Sequence, residues 1–241
     1  MGNFKNTISR RKFIATSAAF SAIGIGAGCT SSDTLSSVNV SNPNLVQNFE
    51  PQAFNYQLAY APVEDSEISL PAFDYTKMAP KYLRQWVKYN RREKPGTIMV
   101  DGSGPYLYLV QSNKRAIRYG IAVGKEGHAW YGDAIMKWKQ KWPTWTPPPE
   151  MIARTPRLAE FADGMPAGID NPLGARAMYL FKDGRDTLFR IHGTNRPFSI
   201  GKAASSGCFR MINQDVIDLY DRVSPGAHVY VKPNIEFEHD V

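Results

Sequence analysis

Between residues 97 and 123 three short apolar runs follow one another with turn residues between them. This succession limits the fold more than any other feature of the chain. Residues 97–100, 106–111 and 115–123 each have strand length, and Ser112-Asn113-Lys114 supplies a hairpin turn between the second and third. In the third run Ala116, Arg118 and Gly120 alternate with Ile117, Tyr119 and Ile121, the period of two of a half-buried strand. A second hairpin is expected from residues 177–181 and 187–192 around Lys182-Asp183-Gly184-Arg185, and residues 229–231 supply a closing strand. Helical signals are short. Val216, Ile217, Leu219, Tyr220 and Val223 follow Asn213, a candidate N-cap, and Ser224-Pro225-Gly226 ends the run. Tyr82, Leu83, Trp86 and Val87 share one face at helical spacing and predict an amphipathic helix near 80–92. The segment 127–172, rich in Trp and Pro, reads as irregular. With 241 residues, 43% of them apolar, the chain can bury one substantial core. The expectation is a mainly β fold with short helices, of the α+β class.

The amino end has a different composition. Lys5, Arg10, Arg11 and Lys12 precede the first acidic residue, Asp33, and an Ala/Gly-rich apolar run follows them. Ser9-Arg10-Arg11-Lys12-Phe13-Ile14 resembles a twin-arginine export motif; an ordinary basic region of the general secretory route is the alternative. Gly26-Ala27-Gly28-Cys29 resembles a lipoprotein box, which would make Cys29 a lipidated first residue and the membrane a partner through that lipid. Gly26 departs from the usual larger apolar residue, so signal peptidase I cleavage stands beside it. Residues 1–29 are thus expected to be a signal peptide. Residues 30–95 are expected to be a tether and short extension, 96–233 the folded domain, and 234–241 a tail. The leader also explains the net charge. It holds four of the 29 basic residues set against 22 acidic ones, so +7 for the whole chain falls to +3 without it, which is no nucleic-acid footprint.

Chemistry concentrates in residues 191–211. His192 ends an apolar run, and Cys208 follows Ser205, Ser206 and Gly207 after a polar loop. A thiolate beside a protonated imidazole is a good nucleophile towards a carbonyl carbon, and Gly207 leaves backbone N–H groups uncrowded for a developing oxyanion. The same two residue types also serve as a packed thiol and a hydrogen-bonded imidazole. Cys29 and Cys208 are the two cysteines of the sequence. After export and loss or lipidation of Cys29, Cys208 has no disulfide partner in an oxidising compartment, which favours a chemical role. His128, His228 and His239 have no metal-ligand spacing, and no phosphate loop or dinucleotide fingerprint is present, so neither metal nor cofactor is expected.

His192-Gly193-Thr194, a loop, and then Ser-x-Gly-Cys-apolar-Arg-Met over Ser205–Met211 resemble the signature of the L,D-transpeptidase (YkuD-type) catalytic domain. Trp145 with the following Pro residues resembles that family's cleft-lining segment. The resemblance implies a β-sandwich with a cleft carrying the Cys/His loop. It implies Cys208 as nucleophile, His192 as base and the Gly193 backbone as its orienter. Ser206, Gly207 and Cys208 would supply oxyanion N–H groups. Arg210 would brace the loop or hold a substrate carboxylate, with Ser205 and Trp145 nearby. The family usually has His where Ser206 stands. The implied partners are peptidoglycan stem peptides as donor and acceptor: a tetrapeptide stem loses its terminal D-Ala, rests as a thioester on Cys208 and passes to an amine in a 3→3 cross-link. A lipoprotein amine or water is an alternative acceptor, the latter giving an L,D-carboxypeptidase or amidase. A non-catalytic wall-binding lipoprotein is the rival from another class. The implied location is the periplasm or cell envelope.

Overall fold

Twelve strands and three α-helices, joined in places by short 3₁₀ turns, account for the regular structure of the described residues. The computed structural model describes residues 54–65, 68–102, 104–124, 130–205, 207–233 and 235. The leader, the twin-arginine-like motif, Cys29, Ser206 and the 236–241 tail lie outside them. All described residues belong to one unit, Asn48–Val241. The strands are β1 Val63–Asp65, β2 Ile68–Leu70, β3 Gln85–Lys88, β4 Ile98–Asp101, β5 Tyr106–Gln111, β6 Arg115–Gly124, β7 Gly132–Lys141, β8 Arg176–Lys182, β9 Arg185–His192, β10 Ala203–Ser205, β11 Phe209–Met211 and β12 Ala227–Lys232. The helices are α1 Tyr56–Ala59, α2 Pro149–Arg154 and α3 Asn213–Arg222.

The two expected hairpins are present. Asp183 and Gly184 connect β8 to β9 at φ 49° and 76°, a two-residue turn whose left-handed backbone suits Asp-Gly. Asn113 and Lys114 lie between β5 and β6, also at positive φ. Pairing then runs β6–β11–β9–β8–β7–β12–β4–β5 and returns from β5 to β6, a closed circuit of eight strands among the described residues. The circuit closes because β6 is long enough to pair β5 along its first half and β11 beyond it. Ile117, Leu107, Met178, Leu180, Ile191 and Phe209 point into this enclosure, and Val216, Leu219 and Val223 of α3 join the same core.

Two expectations about local structure fail. The segment near 80–92 is not a helix: a 3₁₀ turn at Pro80–Tyr82 leads into β3, which pairs antiparallel with β6. The helical stripe was short enough to fit a strand as well, and the ladder offered by β6 decides between them. The segment 127–172 is not wholly irregular either, since it contains the ten-residue β7. The bulge between Met136 and Trp138 breaks the alternation begun by Ala134 and Met136, and the run of Lys137, Lys139 and Lys141 hides the strand in the sequence.

Within the tether and short extension expected over residues 30–95, the described residues 54–65 and 68–89 form a strap packed on the domain. Tyr60, Met78 and Leu83 share a core cluster with Ala122, Ile200 and Ile212. Asp65 pairs with Arg176 at 2.5 Å and accepts from Trp142 Nε1 at 2.8 Å. Arg84 holds the strap to α3: Nε lies 3.3 Å from Asp215, a terminal nitrogen pairs with Asp218, and another donates to Ala59 O at 3.1 Å. Tyr119 Oη also donates to Asp218, at 2.6 Å. Asp215 has no exposed surface, and burial outweighs the attraction of Arg84, raising its carboxyl to about 7. Arg84→Met removes the cation and leaves two enclosed carboxyls. Such a loss costs about 3–5 kcal/mol, roughly a 10 °C fall in Tm for a domain of this size. Thermal unfolding at pH 7.5 should show that fall and a smaller one at pH 5, where Asp215 takes a proton; an unchanged Tm at both would refute this role.

Candidate active site

β11 is three residues long and lies between β9, to which it is parallel, and β6, to which it is antiparallel. Phe209 pairs with Ile191 and Arg210 with His192, so Cys208, one residue earlier, comes beside Arg190. Successive strand residues alternate faces. Ile191, Phe209 and Met211 therefore fill the core while His192 and Arg210 face outward into a cavity of about 570 Å³, which Cys208 also lines.

The cover of that cavity comes from the segment between β7 and β8. Pro149 sets the first turn of α2 with Glu150 beside it, and a 3₁₀ turn, Pro156–Phe161, follows. Met151, Leu158 and Phe161 of these turns line the cavity. The fully buried Asn171 pins the segment: its Nδ2 donates to Pro143 O at 3.0 Å and Pro166 O at 2.9 Å, and its Oδ1 accepts from Leu173 N–H at 2.9 Å. Trp145 exchanges both backbone bonds with Met165 and lines the same cavity.

His192 is 4% exposed, and its Nδ1 donates to Gly193 O at 2.6 Å. A carbonyl oxygen can only accept, so the proton is on Nδ1 and the lone pair on Nε2. Burial and then the charge of Arg210 lower the imidazole to about 4, against the raising effect of the backbone at Gly193 and Leu173. Burial pushes the Cys208 thiol above its ordinary 9.0, although the Arg190 backbone and the charges of Arg190 and Arg210 pull the other way. The thiolate–imidazolium pair expected from the two residue types is therefore not the resting state; a neutral thiol and a neutral imidazole are. Sγ bonds to Leu188 O at 3.9 Å. That carbonyl is turned by a bulge in β9, where the register with β8 shifts and Leu188 takes φ 64°. Leu188 N–H donates to Asp186 at 2.8 Å, and Arg190 grips the same carboxylate through two bonds of 2.7 Å.

The structure thus brings Cys208, His192, Gly193, Arg210 and Trp145 together. Gly207 is buried at φ 132°, backbone that favours glycine. Ser205 pairs with Gly124 through β10. Among the described residues the Arg210 side chain makes no hydrogen bond or ion pair, and burial lowers its pKa. Arg157, Arg196, Glu160 and Asp170 are further charged residues on the cavity wall. Reading the sequence missed Asn171, the bulge at Leu188 and Asn213. Asn213 is not the N-cap, a position held by Ile212, and its side chain turns back to the loop after His192.

Comparison with known proteins gives the context. The model of the YkuD family, the L,D-transpeptidase catalytic domain, matches residues 95–231, more than half of the chain. The chain belongs to this family. The probable L,D-transpeptidase ErfK/SrfK of Escherichia coli K12 is 38% identical over 132 residues, 52% of this chain and 40% of that protein. The putative L,D-transpeptidase YkuD of Bacillus licheniformis is 32% identical over 139 residues, 58% of this chain and 67% of that one. The matched segment thus spans about two fifths of the length of the E. coli transpeptidase. A solved Brucella melitensis chain, described as a probable carnitine operon oxidoreductase, is 50% identical; the alignment covers 66% of this chain and 99% of that one with a TM-score of 0.45. The transpeptidase-family match excludes the strap, which lies before residue 95.

The state of the thiol is open to direct measurement. Alkylation of Cys208 by iodoacetamide, followed by mass spectrometry, should accelerate with pH through a midpoint above that of free cysteine. A rate already level between pH 6 and 8 would indicate a resting thiolate and contradict the neutral pair.

Proposed function

We propose that this chain is a peptidoglycan L,D-transpeptidase of the bacterial envelope. The observation that carries the reading is the opening of Cys208, His192 and Arg210 into one covered cavity, with the imidazole held through Nδ1 so that Nε2 is the available base. The donor is a tetrapeptide stem. Cys208 Sγ turns from Leu188 O, gives its proton to His192 Nε2 and attacks the carbonyl of the third, diamino-acid residue. The backbone N–H groups at Ser206, Gly207 and Cys208 receive the oxyanion; a donor of this kind contributes about 3 kcal/mol. As the C–N bond breaks, His192 returns the proton to the nitrogen of D-Ala, which leaves. The stem remains as a thioester on Cys208.

An amine of a second stem then gives a proton to His192 Nε2 and attacks the thioester, forming the 3→3 amide and restoring the thiol. Because the imidazole is lowered to about 4, it is unprotonated near neutral pH and its Nε2 lone pair is open to a proton, although as a base it is weaker than a free imidazole. Arg210 lines the cavity with no carboxylate partner among the described residues, which supports reading it as the holder of a substrate carboxylate over a brace of the loop. Arg157 and Arg196 add positive charge for stem carboxylates, and Glu160 and Asp170 offer negative charge for an incoming ammonium. No metal or cofactor has a step in this scheme. Export by the twin-arginine-like leader and lipidation of Cys29 would hold the enzyme at the membrane surface. A lipoprotein amine or water would resolve the same thioester to other products.

Muropeptide analysis by mass spectrometry after incubation with sacculi tests the reading. The protein should yield 3→3 dimers and free D-Ala, and Cys208→Ala should yield neither. Stem tripeptides without dimers would assign a carboxypeptidase instead, and identical profiles for protein and variant would reject catalysis.

A further inference from the structure

Asn213 opens α3 but does not serve the helix. Its Oδ1 accepts from Ala175 N–H at 3.0 Å and Thr194 N–H at 3.2 Å, and its Nδ2 donates to Thr194 O at 3.0 Å. One side-chain amide therefore joins the start of β8 to the loop leaving β9. The fit around it is tight. A Cβ added at Gly193 would meet Asn213 Oδ1 at 2.2 Å, and one at Gly174 would meet the same atom at 2.2 Å. Both neighbouring positions are glycine because the amide occupies the space a side chain would need. Gly193 N–H is held from the other side, donating to Arg176 O at 3.0 Å. Asn213 holds Thr194 on both sides: on its N–H, which belongs to the peptide after Gly193, and on its C=O, which belongs to the next peptide. The carbonyl of Gly193 is the group that fixes the His192 tautomer.

The first turn of α3 is itself braced. Gln214 Nε2 donates to Pro71 O of the strap at 2.9 Å, and Asp215 is enclosed beside Arg84. Asn213 thus reaches the catalytic loop from a helix end tied down on its far side, so the loop cannot shift without breaking several bonds at once.

We propose that Asn213 is a positioning residue that aims the Gly193 carbonyl at His192 Nδ1 and so keeps Nε2 as the free base. The proposal rests on the reading of His192 as the base of Cys208 acylation. Without the amide the Gly193–Thr194 peptide loses the bond to its N–H, the next peptide loses the bond to the Thr194 carbonyl, and the tie to Ala175 N–H goes as well; the loop gains room to rotate, and the ring can exchange its Nδ1–H tautomer for the other. A base displaced by about 1 Å costs on the order of 100-fold in rate.

The test compares Asn213→Ala, Asn213→Asp and His192→Ala with the parent protein, each held well below its own Tm. Two readouts are taken. One is the single-turnover acylation of Cys208 by a purified disaccharide-tetrapeptide, and the other is the ¹⁵N chemical shifts of the His192 ring. Asn213→Ala should slow acylation by about 10- to 100-fold and move the ring nitrogens from the Nδ1–H pattern towards a mixture. Asn213→Asp keeps the acceptor for the Ala175 and Thr194 N–H groups, and should retain the Nδ1–H pattern and most of the rate. A merely structural role would lower Tm in Asn213→Ala and leave rate and shifts unchanged, which would overturn the proposal. If His192→Ala acylates at the parent rate, the base reading fails and this inference fails with it. If His192→Ala is slow while Asn213→Ala is not, the positioning role alone is refuted. Should Asn213→Ala not fold, a Asn213→Asp variant that folds yet shows mixed tautomers refutes it equally.

Discussion

The parallel pairing of β11 with β9 is the constraint from which the site follows. Two register pairs, Phe209 with Ile191 and Arg210 with His192, settle which residues enter the core and which face the cavity. Burial of Phe209 and Met211 on the inner face forces Arg210 outward beside His192, since a slip of one residue would put the guanidinium into the core. Cys208 then has a single place, next to Arg190 at the edge of the bulge in β9. The short strand can hold this register because it pairs on both sides, with β9 and with β6. Reactivity is thus tied to core packing.

A second layer of constraint comes from outside the segment that matches the family. The strap before residue 95 contributes Arg84 to the carboxyls of α3 and Asp65 to Arg176, next to the residue that Asn213 bonds. These are enclosed ionic contacts, whose value lies less in net stability than in fixing one arrangement of the partners. They add to the apolar contacts of Tyr60, Met78 and Leu83 in attaching this segment to the helix end that abuts the loop after His192. Stability and geometry of the site therefore share residues, and a change in the strap would be felt at His192 through α3.

Much of this was legible in the sequence where the signal is local. Asp183-Gly184 demands a tight turn, Ala116 to Ile121 alternate, and Val216, Leu219 and Val223 recur at helical spacing, so the hairpins and α3 could be placed. His192 at a strand end and Cys208 after a small-residue loop were visible for the same reason. What was not legible depends on partners far away in the chain. The segment around β3 suggests a helix because Leu83 and Val87, four residues apart, fit either period, and its strand character comes from β6. Closure of the circuit depends on β5 and β11 sharing β6. Asn213 looks like a cap until Ala175 and Thr194 are beside it. The neutral state of Cys208 and His192 is a consequence of burial, which residue types do not carry.

Formation of a thioester at Cys208 with loss of one amino acid is the step on which the proposed activity depends. The most direct measurement is intact-protein and peptide mass spectrometry after rapid mixing with an excess of a tetrapeptide stem and quenching in acid. The account predicts a mass increase equal to the stem less D-Ala, located on the Cys208 peptide, with D-Ala released in equal amount and the adduct lost on treatment with hydroxylamine. An unmodified Cys208, or D-Ala release that persists when Cys208 is replaced by Ala, would contradict it.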